Sequence, residues 1–189
     1  VVLNAVVWVL IVLFPVSEIA LSVLKRSRSK QAGNQDRGSM ALVWVGVAVG
    51  VAAAVAVQPV RATHLAVRGP LLEVICIVLM VGGLSIRWWA IAVLGRYFTT
   101  NVAVQEQQPV IRTGPYRFVR HPSYAGSLLT FAGLGVVMHN WLSIVVLLVP
   151  VTLVFLNRVA VEERALLATI GNPYAEYCRQ TRRLIPGVY

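Results

Sequence analysis

The sequence is poor in charge. Asp, Glu, Lys and Arg make up 13% of its 189 residues, where a soluble globular domain carries about 25%. Acidic residues are the scarcest: 7 Asp and Glu stand against 17 Lys and Arg, for a net charge of +10. Only two cysteines are present. Cys76 lies inside an apolar run and Cys178 near the C-terminal end, without CxxC or metal-ligand spacing, so a disulfide, a zinc site and a cysteine nucleophile all lack support. No Gly-x-Gly-x-x-Gly fingerprint follows any segment, which argues against a soluble dinucleotide-type fold. Internal repeats, low-complexity tracts and a second domain are also missing.

What is there is apolar. Hydrophobic residues form 58% of the chain and the mean hydropathy is +0.74. The class indicated is an all-α, polytopic integral membrane protein, not an apolar soluble helical one. The basic residues fall between hydrophobic runs, where topology and anionic lipid head groups account for them; nucleic acid is not indicated as a partner.

Residues 1–24 suffice to cross a bilayer of about 30 Å. The run lacks a basic leader and a small-x-small cleavage site, so it reads as a retained span. Pro15 interrupts it, and so does Glu18, which is costly in lipid and is expected to face the bundle or an interface in a structural hydrogen bond. Residues 25–38 form a basic, polar loop. Residues 40–57 form a second span whose Gly46, Gly50 and Ala52 to Ala54 allow close helix packing. A short loop with His64 follows, and this histidine reads as a solvated surface residue. Pro70 opens a third span to about residue 94. Within it, Arg87, Trp88 and Trp89 resemble an interfacial belt, with a place for Arg87 at the mouth of a site as the alternative.

Residues 1–94 thus hold three spans, and residues 95–189 form a catalytic region within the same membrane domain. Residues 123–155 are too long for one helix and are broken at His139-Asn140, which predicts a helical hairpin with arms of about 15 residues, short of the usual ~20 for a crossing. That makes about five transmembrane helices. Residues 25–37 carry five Lys or Arg and residues 58–69 two. The positive-inside rule therefore predicts an outside N-terminus and a cytoplasmic site.

Two polar clusters carry the chemistry. The first ends in Arg120-His121-Pro122-Ser123-Tyr124, at the entrance to the hairpin. Pro122 fixes the turn, and Ser123 is placed to cap the next helix. Tyr116 and Tyr124 offer aromatic faces that attract cations, a sulfonium among them. A membrane-interface anchor is the equal alternative. In the second cluster, Arg158 and Glu162 are one helical turn apart. They read as an ordinary ion pair or, beside a membrane run where charge is costly, as a Glu that accepts from a diol and an Arg that grips a carboxylate.

The segment from Gly114 to Gly126, GPYRFVRHPSYAG, followed after the hairpin by Arg158-x-x-x-Glu162-Glu163-x-x-Leu166 and Gly171-x-x-Tyr174-x-x-Tyr177, strongly resembles the isoprenylcysteine carboxyl methyltransferase family. These are integral-membrane enzymes akin to the phospholipid methyltransferases. The resemblance covers about residues 85–186. It implies S-adenosyl-L-methionine as methyl donor, surrounded by Gln108, Pro109, Val110 and Ile111 with Tyr116, His121, Pro122, Ser123 and Tyr124, and bound also by Glu162. Gln105 matches a further donor-contacting glutamine. Arg158 matches the arginine associated with the methyl acceptor, and with Glu162 makes the catalytic pair. The acceptor implied is a lipophilic or prenylated substrate drawn from the bilayer lipids, with no obligate protein partner and no metal. The hairpin turn departs from the Asn-Pro of eukaryotic members, and the N-terminal spans are fewer. Rival expectations are N-methylation of a phospholipid or other lipophile on the same scaffold, a non-enzymatic membrane protein, or a membrane reductase.

Overall fold

The computed structural model describes residues 2–24, 38–67, 69–100 and 108–187. Six α-helices account for most of these: α1 (Val2–Leu24), α2 (Ser39–Ala56), α3 (Pro70–Leu94), α4 (Pro122–Val137), α5 (Trp141–Ile170) and α6 (Asn172–Gln180). Short 3₁₀ turns lie at Arg61–Thr63, Gly95–Tyr97 and Gly114–Arg117. Among the described residues there is no strand, only isolated bridges between His64 and Asn140 and between Val119 and Arg182. Four helices are long and apolar enough to cross a membrane, with α4 as a shorter apolar fifth. The chain is a multi-pass, all-α membrane protein.

Small residues set the helix spacing. A Cβ on Gly83 of α3 would lie 2.5 Å from the Gly126 carbonyl oxygen, and one on Gly126 of α4 would lie 2.5 Å from the Gly83 oxygen. Neither backbone can give way, so α3 and α4 meet at these two glycines. On α2, a Cβ at Gly46 would reach Val154 at 2.5 Å and one at Gly50 would reach the Leu147 oxygen at 3.0 Å, as expected of small residues at a membrane helix interface. Phe14, Met80, Phe131, Leu147, Val151 and Phe155 form the core between the helices.

The hairpin forms where expected, with His139 at φ 53 in its turn, but its arms are unequal. The first is the 16-residue α4. The second does not stop near residue 155: α5 runs on for 30 residues, through Pro150 and the second polar cluster. At 1.5 Å per residue α5 measures about 45 Å against a hydrocarbon core of ~30 Å, so its last turns project past the lipid tails. Asn140 begins α5, its side chain accepting from Leu142 N at 2.9 Å and Ser143 N at 3.2 Å. The turn is pinned to the α2–α3 loop, because Leu65 N donates to the His139 oxygen at 2.9 Å and Gln58 Nε2 to the Met138 oxygen at 3.2 Å. Short as it is, α4 thus carries the chain from the polar clusters to the face where α2 ends. His64 is not simply solvated, since its Nε2 lies 2.9 Å from the Gln58 oxygen.

Candidate active site

The first cluster is shaped by the turn at Gly114, which takes φ 57 and sends the buried Tyr116 beneath α3. Tyr116 donates to the Ala90 oxygen at 3.4 Å, while its own carbonyl accepts from the Tyr177 hydroxyl at 2.6 Å. The chain then runs beside the C-terminal segment: Arg120 N donates to the Arg182 oxygen at 2.7 Å and His121 N to the Arg183 oxygen at 3.0 Å. Pro122 opens α4 and is fully buried. The N-cap is His121, without a side-chain cap bond. Ser123 therefore does not cap the helix as expected; its hydroxyl accepts from an Arg87 terminal nitrogen at 2.7 Å. With its neighbours fixed this way, both ring nitrogens of His121 and the Tyr124 hydroxyl reach toward α5.

There they meet Arg158, Glu162 and Glu163. Tyr124 donates its hydroxyl to Glu162 Oε1 at 2.5 Å. Arg158 Nε stands 3.3 Å from that same carboxylate oxygen and donates to the Tyr124 hydroxyl at 3.3 Å. His121 lies between two carboxylates, Nδ1 at 3.5 Å from Glu162 and Nε2 at 3.3 Å from Glu163. The rest of the Arg158 guanidinium donates to Ser39 Oγ at 2.5 Å and to the Thr100 oxygen at 2.7 Å. The open member of this cluster is Glu162, its side chain 22% exposed against 1% for Arg158 and 5% for His121.

Burial alone would discharge His121. The hydrogen bonds and negative charges of Glu162 and Glu163 outweigh it, so the pKa of His121 stands above the usual 6.5. Tyr116 is pushed well up, first by burial and then by the Glu162 charge, and Tyr177 is raised to about 12, chiefly by burial. Both phenols stay neutral donors at physiological pH.

A cavity of about 540 Å³ joins this cluster to the lipid-facing helices. Its polar end is lined by Gln108, Pro109, Val110, Ile111, Tyr116, His121, Ser123, Tyr124, Arg158 and Glu162. Its apolar end runs between α1 and α2, along Ile11 and Phe14 on one side and Val43, Val47 and Val51 on the other, down to Leu134 and Met138. The residues anticipated for the site therefore converge, with two exceptions. Pro122 is not among the lining residues and packs inside the protein. Gln105 falls outside the described residues. Among the described residues, no three His, Cys, Asp or Glu side chains group as a metal site.

Three features escaped sequence reasoning. Glu163, not only Glu162, is a hub: it accepts from Arg120 Nε at 2.7 Å and Arg183 Nε at 2.9 Å. Arg87 does not belong to the Trp88–Trp89 belt, being 8% exposed while those tryptophans are 43% and 51% exposed; it lines the cavity, as the alternative reading had it, and what the sequence did not signal is its partner. Arg87 forms a two-pronged ion pair with Glu18 of α1. The third is the pair of caps on Arg158, Ser39 and Thr100, which nothing in their local sequence signals.

The sequence model of the isoprenylcysteine carboxyl methyltransferase family matches residues 74–168, half of the chain and the part that contributes His121, Tyr124, Arg158 and Glu162. The chain belongs to this family. Protein-S-isoprenylcysteine O-methyltransferase B of Arabidopsis thaliana is 29% identical over 137 residues, 62% of this chain and 70% of that protein. The A form of the same plant is 33% identical over 114 residues, 59% of this chain and 58% of that protein. A probable protein-S-isoprenylcysteine O-methyltransferase of Oryza sativa subsp. indica is 32% identical over 112 residues, 58% and 59%. This isoprenylcysteine carboxyl methyltransferase family member thus spans between about three-fifths and seven-tenths of these relatives' length, and its Glu18 and Ser39 lie outside the family match.

Proposed function

We propose that this protein is an S-adenosyl-L-methionine-dependent methyltransferase of the membrane that esterifies a carboxylate on a lipophilic, isoprenylcysteine-like acceptor. The observation that carries the reading is one continuous cavity, apolar between α1 and α2 and polar at His121, Tyr124, Arg158 and Glu162. One compartment thereby serves a greasy acceptor and a polar, cationic donor.

The residues present fit the donor. Glu162 is the more accessible carboxylate of the cluster, suited to the hydroxyls of a ribose, and Tyr124 and Tyr116 supply rings that favour a sulfonium cation. Gln108, Pro109, Val110 and Ile111 line the same end. When bound, the donor supplies an electrophilic methyl on positively charged sulfur. Arg158 locks Glu162 and Tyr124 in place, and it orients the acceptor's anionic head by exchanging Ser39 or Thr100 for it. An acceptor carboxylate is already ionised at neutral pH. Its oxygen would take the methyl group from the donor sulfur, which would keep the electron pair of the broken carbon–sulfur bond, so no proton would have to move and no residue of the site would be needed as a base. The protein's contribution is alignment and exclusion of water. The site lies at the end where α2 begins, since Ser39 accepts from Arg158, and the sequence just before α2 carries five Lys or Arg over residues 25–37, which supports a cytoplasmic site.

The test is transfer of isotopically labelled methyl from the donor to membrane lipid extract and to prenylcysteine analogues. Label released by mild base is an ester and supports the reading. Base-stable label on an amine would replace O-methylation by N-methylation, and no transfer to any lipophile would end the proposal.

A further inference from the structure

The Glu18–Arg87 pair lies outside the network that holds Glu162, yet both residues line the same cavity. Its level in the bundle is informative. Ser123 neighbours Tyr124 at the start of α4, and Arg87 donates to the Ser123 hydroxyl at 2.7 Å and to its carbonyl at 3.4 Å. The pair therefore stands at the height where the apolar channel between α1 and α2 gives way to the polar site.

The two carboxylate oxygens of Glu18 engage Nε and one terminal nitrogen of Arg87. This forked arrangement is how a guanidinium takes any carboxylate. Exposure differs between the partners, with the Arg87 side chain 9% exposed and that of Glu18 22%. The guanidinium is also tied to α4 through Ser123, whereas no other bond of the Glu18 side chain is described. One turn on, at the same face of α1, Ser22 also lines the cavity, so a released Glu18 has a polar neighbour to turn toward. A buried ion pair adds little stability over apolar packing of the same volume; stability alone therefore does not explain charges in this wall.

We infer that Arg87 is a second guanidinium for the acceptor's anionic head group and that Glu18 is the internal carboxylate this head group exchanges with. Glu18 thereby determines specificity: an acceptor must bring a forked anion, a carboxylate or a phosphate, to replace it. A neutral lipophile has nothing to offer Arg87 and leaves the pair closed. The inference rests on the reading that the cavity takes a lipophilic anionic acceptor.

The test uses two ligands, a farnesyl thioether carrying a carboxylate and its carboxamide counterpart, with binding measured on purified protein in detergent without turnover. Wild type binds the carboxylate more tightly than the carboxamide. Glu18→Gln tightens the carboxylate at least threefold and leaves the carboxamide and S-adenosyl-L-homocysteine unchanged. Arg87→Lys keeps a cation without the fork and lowers the carboxylate preference, and Arg87→Gln abolishes it. A lipophilic phosphate run beside the carboxylate shows which anion exchanges better. The inference is overturned if Glu18→Gln weakens both ligands alike, or changes neither, since the pair would then only fasten α1. Because binding is read without turnover, a lack of methyl transfer counts against the functional proposal and not against this ratio.

Discussion

Replacing Glu163 by Gln is the perturbation whose size the structure fixes best. The side chain keeps its shape and loses its charge. Glu163 is 6% exposed and holds Arg120 at 2.7 Å, Arg183 at 2.9 Å and His121 at 3.3 Å. The Arg183 side chain is 38% exposed, so its share is at most about 1 kcal/mol. Arg120, 10% exposed, is a buried charged partner. Stranding it places the whole substitution at about 3 kcal/mol, the lower end for breaking a buried pair. For a chain of this size that corresponds to a fall of roughly 6–12 °C in thermal midpoint. The loss should be greatest in the C-terminal segment, because Arg120 also donates to the Cys178 carbonyl at 2.9 Å and to that of Thr181. Trypsin should therefore cut after Arg179, Arg182 and Arg183 much faster in the variant than in wild type. A midpoint within about 2 °C of wild type together with unchanged cleavage would refute the assignment of Glu163 as the hub.

Other outcomes follow from the same contacts. The pKa of His121 is raised on folding, so its protonation adds stability that is complete below about pH 6.5 and is lost as pH rises through the higher folded value; His121→Gln should flatten that part of the midpoint-against-pH curve, and parallel curves would contradict it. Gly126→Ala should lower the thermal midpoint, because its Cβ would lie 2.5 Å from the Gly83 oxygen and 2.8 Å from Arg87 N, an overpacking worth about 1–3 kcal/mol. Gly82→Ala, whose nearest neighbour would be Leu129 Cδ2 at 3.9 Å, should be neutral or stabilising by up to about 1 kcal/mol. Tyr124→Phe removes the hydroxyl that donates to Glu162 at 2.5 Å; kcat/KM should fall about ten- to a hundredfold, the equivalent of 1.5–3 kcal/mol for a charged hydrogen bond.

The sequence carried the helices because their signals are local. Pro70, Gly171 and the His139-Asn140 break each mark an end that the structure keeps. It also carried the convergence of His121, Tyr124, Arg158 and Glu162, through paired motifs on either side of a hairpin. What it missed depended on helix rotation and on contacts between distant residues. Glu18 and Arg87 are 69 residues apart, and only packing of α1 on α3 shows that each neutralises the other. Ser123 looked like a cap because its position at the helix start is favourable; the Arg87 guanidinium claims its hydroxyl instead. The apolar run that marks the second arm of the hairpin ends near residue 155, whereas α5 continues to Ile170, because the hydropathy changes there without any break in the helix.

The central claim is that Glu162, the more accessible carboxylate of the cluster, holds the methyl donor. Titration calorimetry of S-adenosyl-L-homocysteine against wild type and Glu162→Gln in detergent addresses it directly. Wild type should bind, and the variant should bind at least tenfold more weakly, a loss of about 1.4 kcal/mol or more, with Glu18→Gln unaffected. Equal affinity in wild type and Glu162→Gln would contradict the account.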